Sequence, residues 1–227
     1  MSKSSPILVI RPKPGLSQTL SLGREMGLNM HGFALSEVQP VTWEIPQRDG
    51  YDALLLGSAN AIRHGGANLS KLTHLPVHAV GEATAREAKE AGFEIERTGK
   101  GGLQTILDQV SAPIHYLRLV GNEYVELRPP KGVSFDPIQV YDVVPRQFSC
   151  EAANILDEAP IVLLHSGAMT RQFANECNRL GVDRSTITLA AMGPRIAEPA
   201  GVGWAAIHVS DEPNDAALLE MVRSVCI

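Results

Sequence analysis

The sequence predicts an α/β protein organised as two domains, each built on a parallel sheet covered by helices. Three observations carry this. Short continuous apolar runs alternate with helical segments almost throughout the 227 residues, the pattern of strands buried on both faces. The two halves echo each other. Two extended, proline-bounded segments interrupt the alternation and flank the block between them.

In chain order, residues 7–10 read as a buried strand and residues 17–26 as a helix. Residues 53–56 form a strand that runs into Gly57-Ser58-Ala59-Asn60. Residues 77–80 form the next strand, and residues 83–91 a helix stopped by Gly92. Residues 114–120 are a strand ending at Gly121. Strands at 161–164, 188–192 and 206–209 repeat the pattern, with helices at about 168–180 and 215–225.

The echo between halves is local but ordered. Asp52-Ala-Leu-Leu-Leu-Gly-Ser58 matches Ile161-Val-Leu-Leu-His-Ser166, a serine offset of 166 − 58 = 108. Val77-His-Ala-Val-Gly81 matches Leu189-Ala-Ala-Met-Gly193, a glycine offset of 193 − 81 = 112. The extended segments, residues 36–43 and 137–145, alternate in polarity and do not read as buried parallel strands. They are expected to be connecting strands. One discontinuous domain then comprises residues 1–35 and 146–227, and an inserted domain residues 44–136.

Composition narrows the function. The net charge of −5 argues against a nucleic-acid binder, which carries a basic excess or stripe. Cys150, Cys177 and Cys226 form no CxxC and no cluster with metal spacing, so three reduced thiols and no metal are expected. The segment Met1-Ser-Lys-Ser-Ser-Pro lacks a signal-peptide core, and no uncharged apolar run is long enough to span a bilayer, so a cytoplasmic, membrane-free protein is expected.

Several strands end in small or polar residues before a helix begins: Arg11-Pro12, Gly57 to Asn60, Gly81-Glu82-Ala83-Thr84, Ser166-Gly167-Ala168 and Gly193-Pro194-Arg195. In open α/β sheets, ligands bind outside the carboxyl ends of the strands, and free N–H groups at helix starts take anions. Each loop alone is an ordinary turn or cap; five of them across two domains favour a shared cleft. No nucleotide-binding glycine motif and no Gly-x-Ser-x-Gly elbow occurs, which weakens kinase, dehydrogenase and hydrolase readings. His165 directly precedes Ser166, poor geometry for a relay between the two. Tyr141 lies on the second extended segment. Its phenol is able to assist a leaving hydroxyl, but from the residues alone packing beside Trp43 on the connecting strands is the better account.

The order of these pieces resembles the uroporphyrinogen-III synthase family. The matching segments are Val9-Ile10-Arg11-Pro12, Tyr51 to Ala61, Val80-Gly81-Glu82-Ala83-Thr84-Ala85, Leu117-Arg118-Leu119-Val120-Gly121, Val140-Tyr141, Ser166 after its strand, and Ala191-Met192-Gly193-Pro194. The resemblance covers essentially the whole chain. The chain departs from the family at Gly57, where threonine is usual, at Arg195 and Ile196, and in Asn122-Glu123-Tyr124-Val125, which lacks an expected basic residue.

The resemblance implies two Rossmann- or flavodoxin-like domains joined by a two-stranded connector, with hydroxymethylbilane bound between them. It implies loss of the terminal hydroxyl, closure through a spirocyclic intermediate, and release of uroporphyrinogen III with ring D inverted, without cofactor. It makes Tyr141 the candidate catalytic residue. The candidate substrate contacts are Arg11, Ser58, Ala59, Asn60, Gly81, Thr84, Gly121, Ser166, Gly167, Ala168, Gly193 and Arg195. A monomer receiving substrate from hydroxymethylbilane synthase is expected. The competing readings are a two-domain module that closes on an anionic metabolite without chemistry, and a glycosyltransferase.

Overall fold

The computed structural model describes residues 5–47, 50–111 and 113–226, except the side chains of residues 150, 151, 225 and 226. The first four residues and the thiols of Cys150 and Cys226 therefore lie outside the description.

The elements, in chain order, are β1 (Ile7–Val9), α1 (Gly15–Glu25), β2 (Met30–Gly32), β3 (Ser36–Pro40), β4 (Ala53–Leu56) and α2 (Asn60–His64). They continue with β5 (Val77–Val80), α3 (Glu82–Glu90), β6 (Ile95–Gly99), α4 (Leu103–Asp108), β7 (Ile114–Gly121) and β8 (Val133–Pro145). The last are α5 (Cys150–Leu156), β9 (Ile161–Leu164), α6 (Gly167–Leu180), β10 (Thr188–Ala191), α7 (Pro194–Ala197), β11 (Ala206–Val209) and α8 (Asp215–Cys226). The chain divides into two compact units: residues 1–37 with 144–227, and residues 38–143.

In the first unit the sheet order is β11-β10-β9-β1-β2, and its strand pairs run parallel. Alternate strand residues feed two cores. Leu8, Ile10, Val162, Leu164 and Leu189 meet Met169 and Phe173 of α6 on one face. Ile7, Val9, Ile161 and Leu163 meet Leu16 of α1 and Leu218, Leu219 and Val222 of α8 on the other. Cys177 is buried beside Phe173 in the α6 core, and burial pushes its thiol up to about 12.

The second unit has the order β3-β8-β7-β4-β5-β6. Leu54, Leu56, Val77, Ala79, Leu117 and Leu119 pack against Ala61 and Ile62 of α2 and Ala85 and Ala88 of α3. The opposite face is covered by Ile106 and Leu107 of α4. The second extended segment, expected to be a connecting strand, is instead part of the sheet. β8 begins at Val133 and pairs in parallel with β7 from Ile114↔Val133 to Gly121↔Tyr141. The alternating polarity misled because β8 stands near the sheet edge, with only β3 beyond it. β3 ends at Pro40, so Trp43 lies outside it; the indole instead donates to the Gly65 carbonyl at 2.7 Å.

A parallel crossover ordinarily carries a helix, yet residues 122–132 between β7 and β8 form none. Arg118 of β7, 2% exposed, pins this segment. It donates to the Val125 carbonyl at 2.7 Å, and its guanidinium lies 4.9 Å from the Tyr124 ring centroid and 5.6 Å from that of Phe135.

Candidate active site

Each sheet has one point where the strand order reverses. In the first unit β1 leads outward to β2, while the neighbouring β9 leads the other way to β10 and β11. In the second, β4 leads to β5 and β6, while β7 leads to β8. A crevice opens at the carboxyl ends of such a strand pair. Arg11 follows β1, and Ser166, Gly167 and Ala168 follow β9, at the first crevice. Gly193 and Arg195 stand one strand over, past β10. Ser58, Ala59 and Asn60 follow β4, and Gly121 ends β7, at the second crevice, with Gly81 and Thr84 one strand over past β5.

Tyr141 lies on β8, one strand over from the second unit's crevice. It is the cross-strand partner of Gly121, reached through a register shift between Val120 and Gly121. Its ring lies directly on that glycine: a Cβ at Gly121 would stand 2.5 Å from Tyr141 Cε2. The His64 ring, at the end of α2, is 6.5 Å away between centroids. Burial, with the Arg63 charge adding to it, holds the His64 imidazole below its ordinary value. The ring of Tyr141 is buried in the core with Trp43, while its hydroxyl has no hydrogen-bond partner among the described residues.

Backbone donors are scarcer at the helix starts than four per helix. At α2 the N–H groups of Asn60, Ala61 and Ile62 are taken by Ser58 Oγ, the Ser58 carbonyl and the Ala59 carbonyl. At α7, Pro194 has no N–H, and Ile196 and Ala197 both donate to Gly193. At α3 the first turn holds Glu82, whose charge opposes an anion there, and Thr84 is buried. The strongest start is α6, 14 residues long. Ser166 caps it by accepting from Met169 N–H at 3.3 Å. That leaves the N–H groups of Gly167 and Ala168 without an intrahelical acceptor.

The first crevice also holds a polar network whose members are far apart in the chain. Arg11 Nη1 donates to Asp215 Oδ2 at 3.1 Å and to Thr19 Oγ1 at 3.4 Å. Thr19 donates to Asp215 Oδ1 at 3.1 Å, and His165 Nε2 lies 2.8 Å from the same oxygen. His165 is thus engaged with Asp215 and Ser166 with the α6 cap, so the two form no relay. Burial of the His165 side chain, 4% exposed, holds its imidazole below its ordinary value despite Asp215. Burial raises Asp215, but His165, Arg11 and Thr19 outweigh it and hold the carboxyl below its ordinary value. Neither Asp215 nor the pairing of His165 was among the expected site residues. The one readable signal was an aspartate opening the last helix.

These shifts predict a pH dependence of stability. His165 faces Asp215 and Arg11, and His78, buried against Tyr116, faces Glu96 and Arg97. Desolvation is the leading cause for both, and both fall below 6.5. Below that value the unfolded chain gains protons that the folded chain resists, so stability falls with pH. Asp215 has the same sign at lower pH: its contribution persists above 3.8 and is lost as pH falls through its depressed folded value. The melting temperature should therefore be lower at pH about 5.5 than at about 7.5, and His165→Gln should flatten the difference.

Among the described residues, no group of three or more His, Cys, Asp or Glu side chains is placed to hold a metal, and no helix is long and apolar enough to cross a membrane. A search of curated proteins finds no match. Among solved structures, the uroporphyrinogen-III synthetase of Helicobacter pylori 26695 is similar, with TM-score 0.65 and 17% identity over 97% of this chain and 99% of that one. A mutant uroporphyrinogen III synthase of the extremely thermophilic bacterium Thermus thermophilus superposes with TM-score 0.55 and 15% identity over 97% and 98% of the chains. At such identities these two establish the fold. The family profile for uroporphyrinogen-III synthase HemD matches residues 17–220. With nine-tenths of its length so matched, the chain belongs to the uroporphyrinogen-III synthase family, the cyclising lyases that convert hydroxymethylbilane to uroporphyrinogen III in tetrapyrrole biosynthesis.

Proposed function

We propose that Tyr141 is the catalytic residue of this cyclisation and that the two crevices bind the substrate's carboxylates. The observation that carries the reading is a phenol held rigidly on Gly121, at the carboxyl end of β7, with its hydroxyl claimed by no described residue. The reaction needs a proton on the departing terminal hydroxyl. Its C–O bond breaks, water leaves, and the terminal pyrrole becomes an electrophilic azafulvene. The substituted carbon of ring D attacks, forming a carbon–carbon bond and a spirocyclic intermediate. The original bond to ring D then breaks and a new one forms at its free α-carbon. Loss of that carbon's proton restores the pyrrole and leaves ring D inverted. A phenol donating to the departing oxygen assists the first step. The remaining steps ask mainly for one folded substrate geometry, which is positional catalysis.

The carboxylate contacts are Arg11, Ser58, Ala59, Asn60, Gly81, Thr84, Gly121, Ser166, Gly167, Ala168, Gly193 and Arg195. The start of α6 and Arg11 are the best supplied with donors. The inserted unit, residues 38–143, is entered along β3 and left along β8. The enzyme works as a cytoplasmic monomer that takes hydroxymethylbilane from hydroxymethylbilane synthase. It uses no cofactor and engages neither nucleic acid nor membrane.

This reading predicts a contrast between two variants. Arg195 is exposed on a four-residue helix, so Arg195→Ala should raise KM by about 10-fold or less. A Cβ at Gly167 meets only ordinary contacts, with Pro199 Cγ at 3.4 Å, so Gly167→Val should fold yet block the α6 donors and raise KM by more than about 10-fold. Gly81→Val is a poor probe, because Gly81 has φ +79 and strains any side chain there. Steady-state kinetics on folded variants decide it. Abolished binding in Arg195→Ala with normal binding in Gly167→Val would place the anion on the cation instead.

A further inference from the structure

Arg11 is half-used. Only Nη1 is engaged, by Asp215 and Thr19. Nε and Nη2 have no partner among the described residues and are not enclosed. Those two groups form one edge of the guanidinium, the edge whose parallel N–H bonds match a carboxylate bidentately. The seat beneath it is equally specific. A Cβ at Gly15, the first residue of α1, would stand 2.4 Å from Arg11 Nε and 2.7 Å from Nη2. Glycine at that position is what lets the guanidinium lie flat on the helix start. Gly15 does not have a left-handed φ, so conformation gives no other reason for glycine there.

Asp215 closes the arrangement from the far end of the chain. It sits at the first residue of α8, and His165 and Thr19 fix both its position and its ionised state. All of this lies at the point where β1 and β9 part, the ligand-binding end of such a sheet.

We propose that Asp215, with Thr19 and the glycine seat at Gly15, is a positioning residue that presents the Nε/Nη2 edge of Arg11 as a fork for one carboxylate of the substrate. The inference rests on Arg11 being a substrate contact and adds what aims it. Asp215 itself touches no substrate. It removes one end of the guanidinium from competition and turns the other outward. A lysine at position 11 would keep the charge and lose the fork.

The test measures KM and kcat for hydroxymethylbilane in Arg11→Ala, Arg11→Lys, Asp215→Asn and Gly15→Ala, with thermal unfolding of each. Asp215→Asn and Gly15→Ala are expected to raise KM by about 10-fold, equivalent to about 1.4 kcal/mol, with kcat changed less than about twofold. Arg11→Lys should resemble Arg11→Ala. In the Arg11→Ala background, Asp215→Asn should add little, because the residue it aims is gone. Gly15→Ala separates aim from stability: alanine favours a helix, so its KM should rise without loss of melting temperature. If Arg11→Ala raises KM while folded Asp215→Asn and Gly15→Ala bind normally, the positioning role is wrong and the contact stands. If Arg11→Ala itself binds normally, the contact is wrong and the positioning role falls with it.

Discussion

Tyr141→Phe is expected to lower kcat by about 10²-fold, the lower range for general-acid assistance. KM should change little. The ring's place among Trp43, Leu117 and Val140 does not depend on the hydroxyl, and the hydroxyl has no protein partner to lose among the described residues. The melting temperature should therefore stay close to that of the parent chain. That combination, chemistry lost while folding and binding are kept, is what a proton-donating phenol predicts. A packing residue predicts the reverse: with the ring intact, turnover would be nearly normal. Single-turnover formation of product from hydroxymethylbilane distinguishes the two.

Gly121→Ala should do comparable damage by a different route. Alanine is conformationally acceptable here, because Gly121 does not have a left-handed φ. Its methyl group would meet Tyr141 Cε2 at 2.5 Å and Cζ at 2.7 Å. Contact at normal van der Waals distance requires the ring to shift by roughly 1 Å, and a displacement of that order can cost about 10²-fold in rate. Crowding a packed position should also lower stability by about 1–3 kcal/mol. Because both changes act on the same hydroxyl, they should not add. The double variant Gly121→Ala with Tyr141→Phe should have a kcat near that of Tyr141→Phe alone. Multiplied losses near 10⁴-fold would mean that the glycine serves something other than the tyrosine.

The parallel strands were legible because burial on both faces leaves a continuous apolar run, as in Ala53-Leu-Leu-Leu56 and Ile161-Val-Leu-Leu164. Strands without that run escaped notice. β2 is Met30-His-Gly32. β8 was seen only in part, since its half-exposed residues alternate as those of a free connector would. The loops were readable as a class, since small residues at strand ends mark the ligand side of any such sheet. What the loops do individually was not. The number of free N–H groups at α2 and α7 depends on which carbonyls the turns bring back, a matter of local geometry. The Arg11–Asp215 pair spans 204 positions, and no local pattern couples residues that meet only when α8 docks on the sheet. Gly121 was marked as a motif residue, but its reason is a register shift that pairs it with Tyr141.

Closure of hydroxymethylbilane with inversion of ring D leaves a product signature that can be read directly. The direct measurement supplies hydroxymethylbilane to the purified protein, oxidises the products and separates the type I and type III isomers chromatographically. Type III is expected as the dominant product, formed in proportion to the protein added, with no metal, cofactor or sugar nucleotide supplied. Type I alone, at the rate seen without protein, would contradict it.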